Sequence, residues 1–286
     1  MPYNHQHFDT RQSMSNKQFE IFHYRDQHLE NVNVHHHDFY EIYFFLSGNV
    51  RFRIEGRTYR LEPGDLLLIN PQELHQPEIT PNSTYERIVL WIDRNYLNSL
   101  SSNHTDLAAC FDTGRPNHVN LLRTSKAHRT GLHQLLERLN REYHSENLGN
   151  ELYAQGMLLQ LLVELNRLAA ANSRMILRQP EPDLVAQVLG YISSHYHESI
   201  TLESLSAEFF VSKYHLSHEF SRQVGTSVYR YVILRRLMQA RELMIGGQAP
   251  REVYQKCGFG DYTNFYRAFK EEYGISPREF AADVTK

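Results

Sequence analysis

The sequence of 286 residues has only two cysteines, Cys110 and Cys257, and they lie far apart. Two distant thiols are too few for a disulfide framework or a cysteine metal knuckle, so we expect a reducing compartment. No apolar run approaches the roughly 18–20 residues needed to cross a bilayer. The first residues also lack the basic and apolar stretches of a signal peptide. These absences predict a cytoplasmic protein with no membrane partner.

The chain also lacks a strong charge of either sign, because 30 basic and 33 acidic residues leave a net charge of −3. This balance gives no overall sign of a nucleic-acid partner, although a local binding face stays open. A hydrophobic content of 41% excludes wholesale disorder, and the length suggests two domains. Histidine is in excess instead, with 17 in the chain and 13 of them before residue 181.

The pattern of residues 19–92 predicts a β domain. Residues 50–55 alternate apolar and charged side chains, which is typical of a strand with one face in water. Turn signals flank them at 47–49 and 55–56, and Pro63-Gly64 precedes the apolar run 66–69. Several short strands separated by such turns favour a small β-sandwich or barrel.

Between about Lys126 and Met175 the apolar period becomes helical and predicts two helices. The second has more leucine than one helix face needs, from Leu152 to Leu168, and this surplus favours burial against a second subunit. The alternative is that both helices simply cover the β domain. A polar, proline-containing stretch follows at 178–182 and is interpreted as an interdomain linker.

The last third of the chain repeats a helix-turn-helix pattern. Leu216 and Gly225 are nine residues apart in the first copy, and Phe265 and Gly274 have the same spacing in the second. Two copies of one unit are a sharper signal than a single motif. N-cap residues are available for the helices of these copies and for a long helix between them, and they are Thr201, Ser212, Ser227 and Asp261.

The segment Cys257-Gly258-Phe259-Gly260-Asp261 with the following residues to Lys270, and then 274–277, resembles the signature of the AraC/XylS family of bacterial transcription regulators. The resemblance covers about residues 183–280. It implies two helix-turn-helix units joined by a long helix, with each unit placing one recognition helix in the major groove. Three residues depart from the family pattern, namely Phe210 in a turn, Val228 at the start of the long helix and Tyr254 where a small residue is usual.

Helix geometry then suggests which side chains face the DNA. The residues expected to reach base edges lie opposite the apolar face of each recognition helix, and they are Tyr214, Ser217, His218, Tyr262, Thr263, Asn264 and Arg267. The residues expected to contact phosphates are Lys213, Arg222, Arg235 and Lys270. From Glu181 onward there are 12 Lys or Arg and 13 Asp or Glu, so we expect modest affinity per monomer.

The histidine excess centres on residues 35–41. There His35, His37 and Glu41, together with Gly48, resemble the first motif of the cupin barrels. The resemblance implies that a metal, if present, would be held by His35, His37, Glu41 and His75, and such ligands suit zinc, nickel, iron or manganese. On an extended strand His35 and His37 would share one face, and His36 would point to solvent.

The interpretation we favour is an effector pocket that needs no cofactor. Its polar groups would be His35, His37, Glu41, Tyr43 and His75, with walls from Phe39, Phe45 and Trp91. Aromatic walls with a few fixed polar groups suit a sugar or a related hydroxyl-rich metabolite. A metal-binding cupin sensor or enzyme fused to a DNA-binding domain, and an effector-free dimeric regulator, stay open as alternatives.

The sequence therefore predicts an α+β, multidomain protein that regulates transcription and is not an enzyme. Its expected partners are promoter DNA, a small-molecule effector, a second copy of the chain and, for an activator, RNA polymerase. The expected parts are a flexible arm at 1–18, a cupin-like β-barrel sensor at 19–125, a helical dimerisation hairpin at 126–176, a linker at 177–182 and an all-α double helix-turn-helix domain at 183–286.

Overall fold

The structure is a computed structural model that describes residues 13–27, 29, 32–80, 83–115, 118–175 and 183–284. Residues 1–12 of the predicted arm and the whole predicted linker lie outside these ranges. The chain divides into two compact units. One, which we call the β unit, comprises Met1–Ile54 and Thr58–Pro180, and the helical unit comprises Glu55–Arg57 and Glu181–Lys286.

The β unit contains eight strands within the described residues. They are β1 (Phe19–Asp26), β2 (Tyr40–Ser47), β3 (Val50–Ile54), β4 (Arg57–Arg60), β5 (Leu66–Ile69), β6 (His75–Ile79), β7 (Tyr85–Ile92) and β8 (Leu121–Leu122). They form a five-stranded sheet in the order β1-β7-β2-β5-β8 and a three-stranded sheet in the order β4-β3-β6. Neighbouring strands in the large sheet pair antiparallel, and none of these pairs is consecutive in the chain.

Alternation along β2 separates two cores, because successive side chains of a strand point to opposite faces. Tyr43 and Phe45 join a cluster with Phe52 and Ile54 of the small sheet, so this cluster fills the space between the two sheets. Ile42 and Phe44 point the other way, into a second cluster with the leucines of the following helices. The large sheet is therefore buried on both faces.

Two long helices, α2 (Lys126–Tyr143) and α3 (Asn150–Met175), cover the outer face of the large sheet. Most of their leucines bury in that cluster, and these are Leu132, Leu135, Leu136, Leu139, Leu158, Leu161, Leu162 and Leu165. The surplus apolar surface lies at the start of α3, where Leu148, Leu152 and Tyr153 are exposed in the single chain.

Two elements of the β unit lie in a stretch for which the sequence analysis predicts no secondary structure. A helix, α1 (Arg94–Leu100), is capped by Asp93, and a short 3-10 helix (Leu107–Phe111) is capped by Asp106. Both bury apolar side chains in the cluster on the outer face of the large sheet.

The helical unit contains seven helices within its described residues. They are α4 (Leu184–His195), α5 (Leu202–Glu208), α6 (Lys213–Val224), α7 (Val228–Ile245), α8 (Pro250–Lys256), α9 (Tyr262–Tyr273) and α10 (Pro277–Val284). Thr201, Ser212, Ser227 and Asp261 cap the helices as predicted, each accepting a backbone N–H with its side chain. Within the described ranges, no helix is long and apolar enough to cross a membrane.

Candidate ligand pocket and nucleic-acid interface

A cavity lies between the two sheets of the β unit, and its walls combine aromatic and ionisable side chains. Of the predicted pocket residues, His35, Glu41, Tyr43, His75 and Trp91 line it. The other lining residues are Tyr24, Leu29, Val32, Phe52, Pro77, Tyr85, Arg87 and Val89. Three predicted residues do not line it, namely His37, Phe39 and Phe45.

The cavity is small, at about 20 Å³. On this measure a single water molecule needs about 10–15 Å³, so there is space for one or two waters. A monosaccharide therefore needs lining side chains to move before it can enter.

The segment that carries the predicted histidines is not a regular strand, which corrects the expectation that His35 and His37 share a strand face. His35 forms an isolated bridge with His75, in which each backbone N–H donates to the other's carbonyl at 3.1 and 3.0 Å. His37 lies outside any strand, three residues before β2, and is nevertheless buried. His36 is half-buried and not solvent-exposed as expected.

Three of the four candidate metal ligands converge. One side-chain ligand atom from each of His37, Glu41 and His75 lies within 4.8 Å of the others. His37 Nε2 is 2.7 Å from Glu41 Oε2, and His75 Nε2 is 3.7 Å from the same oxygen. His35 is not part of this group, although its ring centroid lies 4.3 Å from that of His75.

Burial keeps two of the pocket imidazoles neutral. It lowers the pKa of His35 to about 4, although a hydrogen bond to the Asn33 carbonyl opposes the shift. It also lowers the pKa of His75 well below its usual 6.5, and the neighbouring histidines act in the same direction. At neutral pH the cavity therefore presents uncharged rings that can accept or donate a hydrogen bond.

Arg87 is a pocket residue that the sequence analysis missed. It is 2% exposed, pairs with Asp26 on β1, and places its guanidinium 4.7 and 4.2 Å from the ring centroids of Tyr24 and Tyr85. The Tyr85 hydroxyl in turn contacts that of Tyr43. Period-two alternation along β7 could have found Arg87, because it shares a face with Tyr85, Val89 and Trp91.

The helix predicted to be the first recognition helix is α6. Leu216 and Phe220 are fully buried, while Tyr214 is 81% exposed and His218 is exposed beside it, with their ring centroids 6.2 Å apart. Ser217 is half-buried. The predicted phosphate contacts at the two ends of this helix are exposed but engaged in ion pairs, Lys213 with Glu203 at 2.9 Å and Arg222 with Glu219 at 2.5 Å.

The helix predicted to be the second recognition helix is α9. Thr263, Asn264, Arg267 and Lys270 are exposed, and Tyr262 is half-buried against the core of the unit. Arg267 donates to Asn264 Oδ1 at 2.6 Å, and Asn264 donates from its side chain to Asp261 Oδ2 at 2.6 Å. These hydrogen bonds hold the two predicted base-reading side chains next to each other.

Arg235 does not fit the predicted phosphate contact. It lies on α7, where it is half-buried and donates from Nη2 to Ser193 Oγ of α4 at 3.1 Å. Because it lies inside the unit, Arg235 links α7 to α4 and does not face outward toward a phosphate. The periodicity of α7 could not show this, because that helix is packed on several sides and has buried residues all along it.

The exposed aromatic residues near these helices that were not predicted to contact DNA include Phe210 and Tyr229. Phe210, in the turn before α6, is 95% exposed, and Tyr229, in the first turn of α7, is also exposed. Tyr229 shares a surface groove of about 450 Å³ with Asn264 and Arg267. An isolated exposed aromatic leaves no periodic signal in the sequence, so only the folded surface reveals these two.

Comparison with known proteins is consistent with these two units. A family model for an AraC-like ligand binding domain matches residues 20–162, and one for a helix-turn-helix domain matches residues 205–283. The HTH-type transcriptional activator RhaS of Salmonella arizonae is 26% identical over 86% of both chains. The protein of the same name from Escherichia fergusonii is 25% identical over 86% of both chains.

Among solved structures, ToxT from Vibrio cholerae O395 is 14% identical, covers 94% of this chain and 99% of its own, and has a TM-score of 0.39. The ligand-binding match alone spans half of the chain, and the helix-turn-helix match covers both repeated units. The chain is therefore a member of the AraC/XylS family of transcription regulators, with an AraC-like ligand-binding domain followed by a helix-turn-helix DNA-binding domain.

Proposed function

We propose that the protein is a cytoplasmic, homodimeric regulator without catalytic activity that controls promoters in response to a sugar or a related hydroxyl-rich metabolite. The observation that carries this is the cavity of the β unit, which combines the aromatic rings of Tyr43, Phe52 and Trp91 with the polar groups of Glu41 and His75. Flat apolar walls with a few fixed hydrogen-bonding groups suit a sugar ring.

The effector is tested by thermal unfolding of the full chain with a panel of monosaccharides and sugar acids. A ligand present at about 100 times its Kd stabilises the folded state by about 2.7 kcal/mol, which gives a clear shift in Tm. Tyr43→Phe removes a hydroxyl from the cavity, so it should weaken this shift. Tyr40→Phe is the matched control, because Tyr40 lies on the same strand and packs on the opposite face of the sheet.

A panel that leaves Tm unchanged would favour the effector-free regulator instead. In that case His37→Gln and Glu41→Gln should leave promoter activity unchanged, since the pocket would have no regulatory role. Stimulation of a reporter by one compound, reduced by Tyr43→Phe and not by Tyr40→Phe, supports the sensor.

We propose that α6 and α9 read the operator. Arg267 would bind a guanine and Asn264 an adenine, while Tyr214, Ser217, His218, Tyr262 and Thr263 complete the base contacts and Lys213, Arg222 and Lys270 bind phosphates. Genomic fragments retained by the full chain give the operator by sequencing. Arg267→Ala should then cost about 1–3 kcal/mol of binding free energy and relax preference at one position. Arg278→Ala, an exposed arginine on α10, is the control that should change neither.

The exposed apolar residues at the start of α3 support the homodimer. Leu148 and Leu152 are far more exposed than the other leucines of the hairpin, and Tyr153 lies beside them. Apolar side chains of this kind are stabilised when a second copy covers them. Leu152→Glu should shift the full chain toward monomer in sedimentation velocity, and an unchanged dimer would place the interface elsewhere. Contact with RNA polymerase follows if the protein activates, as its named relatives do.

A further inference from the structure

The surface groove of the helical unit lies between one face of α7 and one face of α9, and its volume is about 450 Å³. Tyr229, Ile233 and Arg236 line it from α7, and they share one side of that helix because they are three or four residues apart. Asn264 and Arg267 line it from α9. One wall of the groove is therefore made by the two side chains proposed to read bases.

The dimensions of DNA place a phosphate strand beside this wall. An α-helix with its side chains is about 10–12 Å across, and the major groove of B-DNA is about 12 Å wide. A helix that lies in the major groove therefore has one sugar-phosphate strand close to each of its two sides. Since Asn264 and Arg267 line the surface groove, the strand on that side of α9 would lie over the groove and face α7.

The charge of the groove suits a phosphate. Arg230, Arg236 and Arg267 line it, against the single carboxylate of Glu271. Arg230 is also paired with Glu272, and the groove keeps a net positive charge when this second carboxylate is counted. The C-terminal third of the chain as a whole is close to neutral. The positive charge is therefore a local property of this surface, of the kind that attracts a phosphate backbone.

Two of these arginines are held in place by groups of the protein itself. Arg236 donates to the backbone carbonyls of Tyr196 and Glu198 at 2.8 and 2.7 Å, and Arg230 pairs with Glu272. These contacts fix the positions of both guanidinium groups, so the two arginines supply positive potential. A hydrogen bond from this wall to a phosphate is better supplied by another side chain.

Tyr229 has the chemistry for that contact. It is the second residue of α7, and 76% of its surface is exposed. Its hydroxyl can donate to a phosphate oxygen while the apolar ring packs against a deoxyribose. A tyrosine placed in this way uses both the apolar and the polar part of its side chain.

We propose that the groove binds the sugar-phosphate strand that flanks the bases read by α9, with the Tyr229 hydroxyl donating to one phosphate oxygen. The inference rests on the proposal that α9 reads the operator. A phosphate contact carries no sequence information of its own, but it fixes the register and orientation of a helix in the major groove. Tyr229 is therefore a positioning residue for Asn264 and Arg267.

The first measurement is the affinity of the full chain for its operator, obtained from genomic fragments, by fluorescence anisotropy. Tyr229→Phe should weaken binding by about 5- to 10-fold, because a hydrogen bond to a charged group is lost. Base preference should not change, since the phosphate is present in every sequence. The dependence of affinity on salt should not change either, since tyrosine neutralises no phosphate charge.

Tyr191→Phe is the matched control. Tyr191 lies on α4 of the same unit, outside both helix-turn-helix units, and its ring stacks on that of His195. It should leave operator affinity unchanged. Circular dichroism and Tm of both variants separate loss of the contact from loss of the fold.

The second measurement tests the contact itself with operators that each carry one uncharged methylphosphonate. In the wild type, replacement of the contacted phosphate should weaken binding. In Tyr229→Phe the loss at that one position should be clearly smaller, while the losses at other phosphates stay the same. Losses that add independently at every phosphate would overturn the proposal, because a variant that only perturbs the fold couples to no single phosphate.

The remaining outcomes also decide between explanations. If the full chain retains no genomic fragment, the proposed DNA reading fails and this inference fails with it. Operator binding that Tyr229→Phe leaves unchanged overturns this inference alone. If that variant binds the operator normally and still lowers promoter activity, the groove takes a protein partner in place of the phosphate strand.

Discussion

The two helix-turn-helix units of the helical unit build the same backbone from different residues. Their first helices, α5 and α8, both have seven residues, and their recognition helices, α6 and α9, both have 12. Both recognition helices end at a glycine in the left-handed region, Gly225 with φ +82° and Gly274 with φ +76°. The fully buried residues Leu216 and Phe265 occupy the fourth position of each.

The turns after the first helices show where the units differ. In both turns, the residue with left-handed backbone donates its N–H to the carbonyl of the sixth residue of the preceding helix. The residue after it donates its N–H to the carbonyl of the fifth residue of that helix. These two hydrogen bonds form the Schellman pattern. The left-handed residue is Gly258 in the second unit, with φ +81°, and Phe210 in the first, with φ +54°. The hydrogen bonds fix the conformation, while the side chain only changes what that conformation costs in free energy.

The largest effect is expected at Gly258 of the second unit. A Cβ there would lie 2.7 and 2.8 Å from the carbonyl oxygens of His197 and Tyr196. Gly258→Ala should therefore destabilise this unit by about 3 kcal/mol, from left-handed strain plus overlap. Hydrogen exchange of α8 and α9 followed by mass spectrometry measures it.

Gly274→Ala is the matched control for that substitution. Gly274 has nearly the same φ, but a Cβ there would meet no atom within 4 Å. It should therefore cost only the strain, about 1–2 kcal/mol. Equal costs at Gly258 and Gly274 would show that the close approach of the carbonyls is unimportant.

The next effect concerns the starts of the first helices. Thr201 and Ser204 form a reciprocal capping box at α5, so Thr201→Ala should destabilise that helix by about 1 kcal/mol. Exchange protection of the α5 amides should fall accordingly. Thr130→Ala, at an exposed threonine inside α2, controls for loss of the side chain. Unchanged protection of α5 would mean that packing alone holds the helix start.

In the second unit a substitution can add an N-cap instead of removing one. Ala249 precedes α8 and makes no capping hydrogen bond with its side chain. Ala249→Ser supplies a side-chain acceptor at the N-cap, so it should stabilise α8 by about 0.5–1 kcal/mol. A slower exchange of the α8 amides is the expected result, and faster exchange would contradict it.

The smallest effect is expected at Phe210. Asparagine tolerates the left-handed conformation better than phenylalanine, and this side chain is 95% exposed, so Phe210→Asn should lose little packing. We expect a gain of about 0.5 kcal/mol in the first unit, measured by the same exchange experiment. A loss of stability would show that the Phe210 ring makes a contact that matters for folding.

Local chemistry made most of the helical unit predictable. Caps such as Ser212 and Asp261 act within one turn of the helix, so sequence reveals them directly. Tyr254, which stands where the family usually has a small residue, is half-buried against Tyr262 with ring centroids 5.7 Å apart, and the Schellman bonds of its turn are intact. The contact that Arg235 makes inside the unit could not be predicted, because it depends on which helix packs beside α7.

The pocket was less predictable, because it depends on the pairing of distant strands. Glu41 lies opposite Trp91 of β7 and Ile69 of β5, and no local pattern specifies these partners. The spacing of His35 and His37 fits the alternation of a strand. A bridge to His75 and hydrogen bonds to carbonyls determine their positions instead.

The ion pairs on the first recognition helix have a consequence for how the protein searches a chromosome. Lys213 and Arg222, the proposed phosphate contacts, are paired with Glu203 and Glu219, so under this proposal DNA phosphates would have to compete with carboxylates of the same chain. Each contact with random sequence then releases less free energy, and affinity depends less steeply on salt. We expect short residence on non-operator DNA, which leaves more copies free to find a promoter.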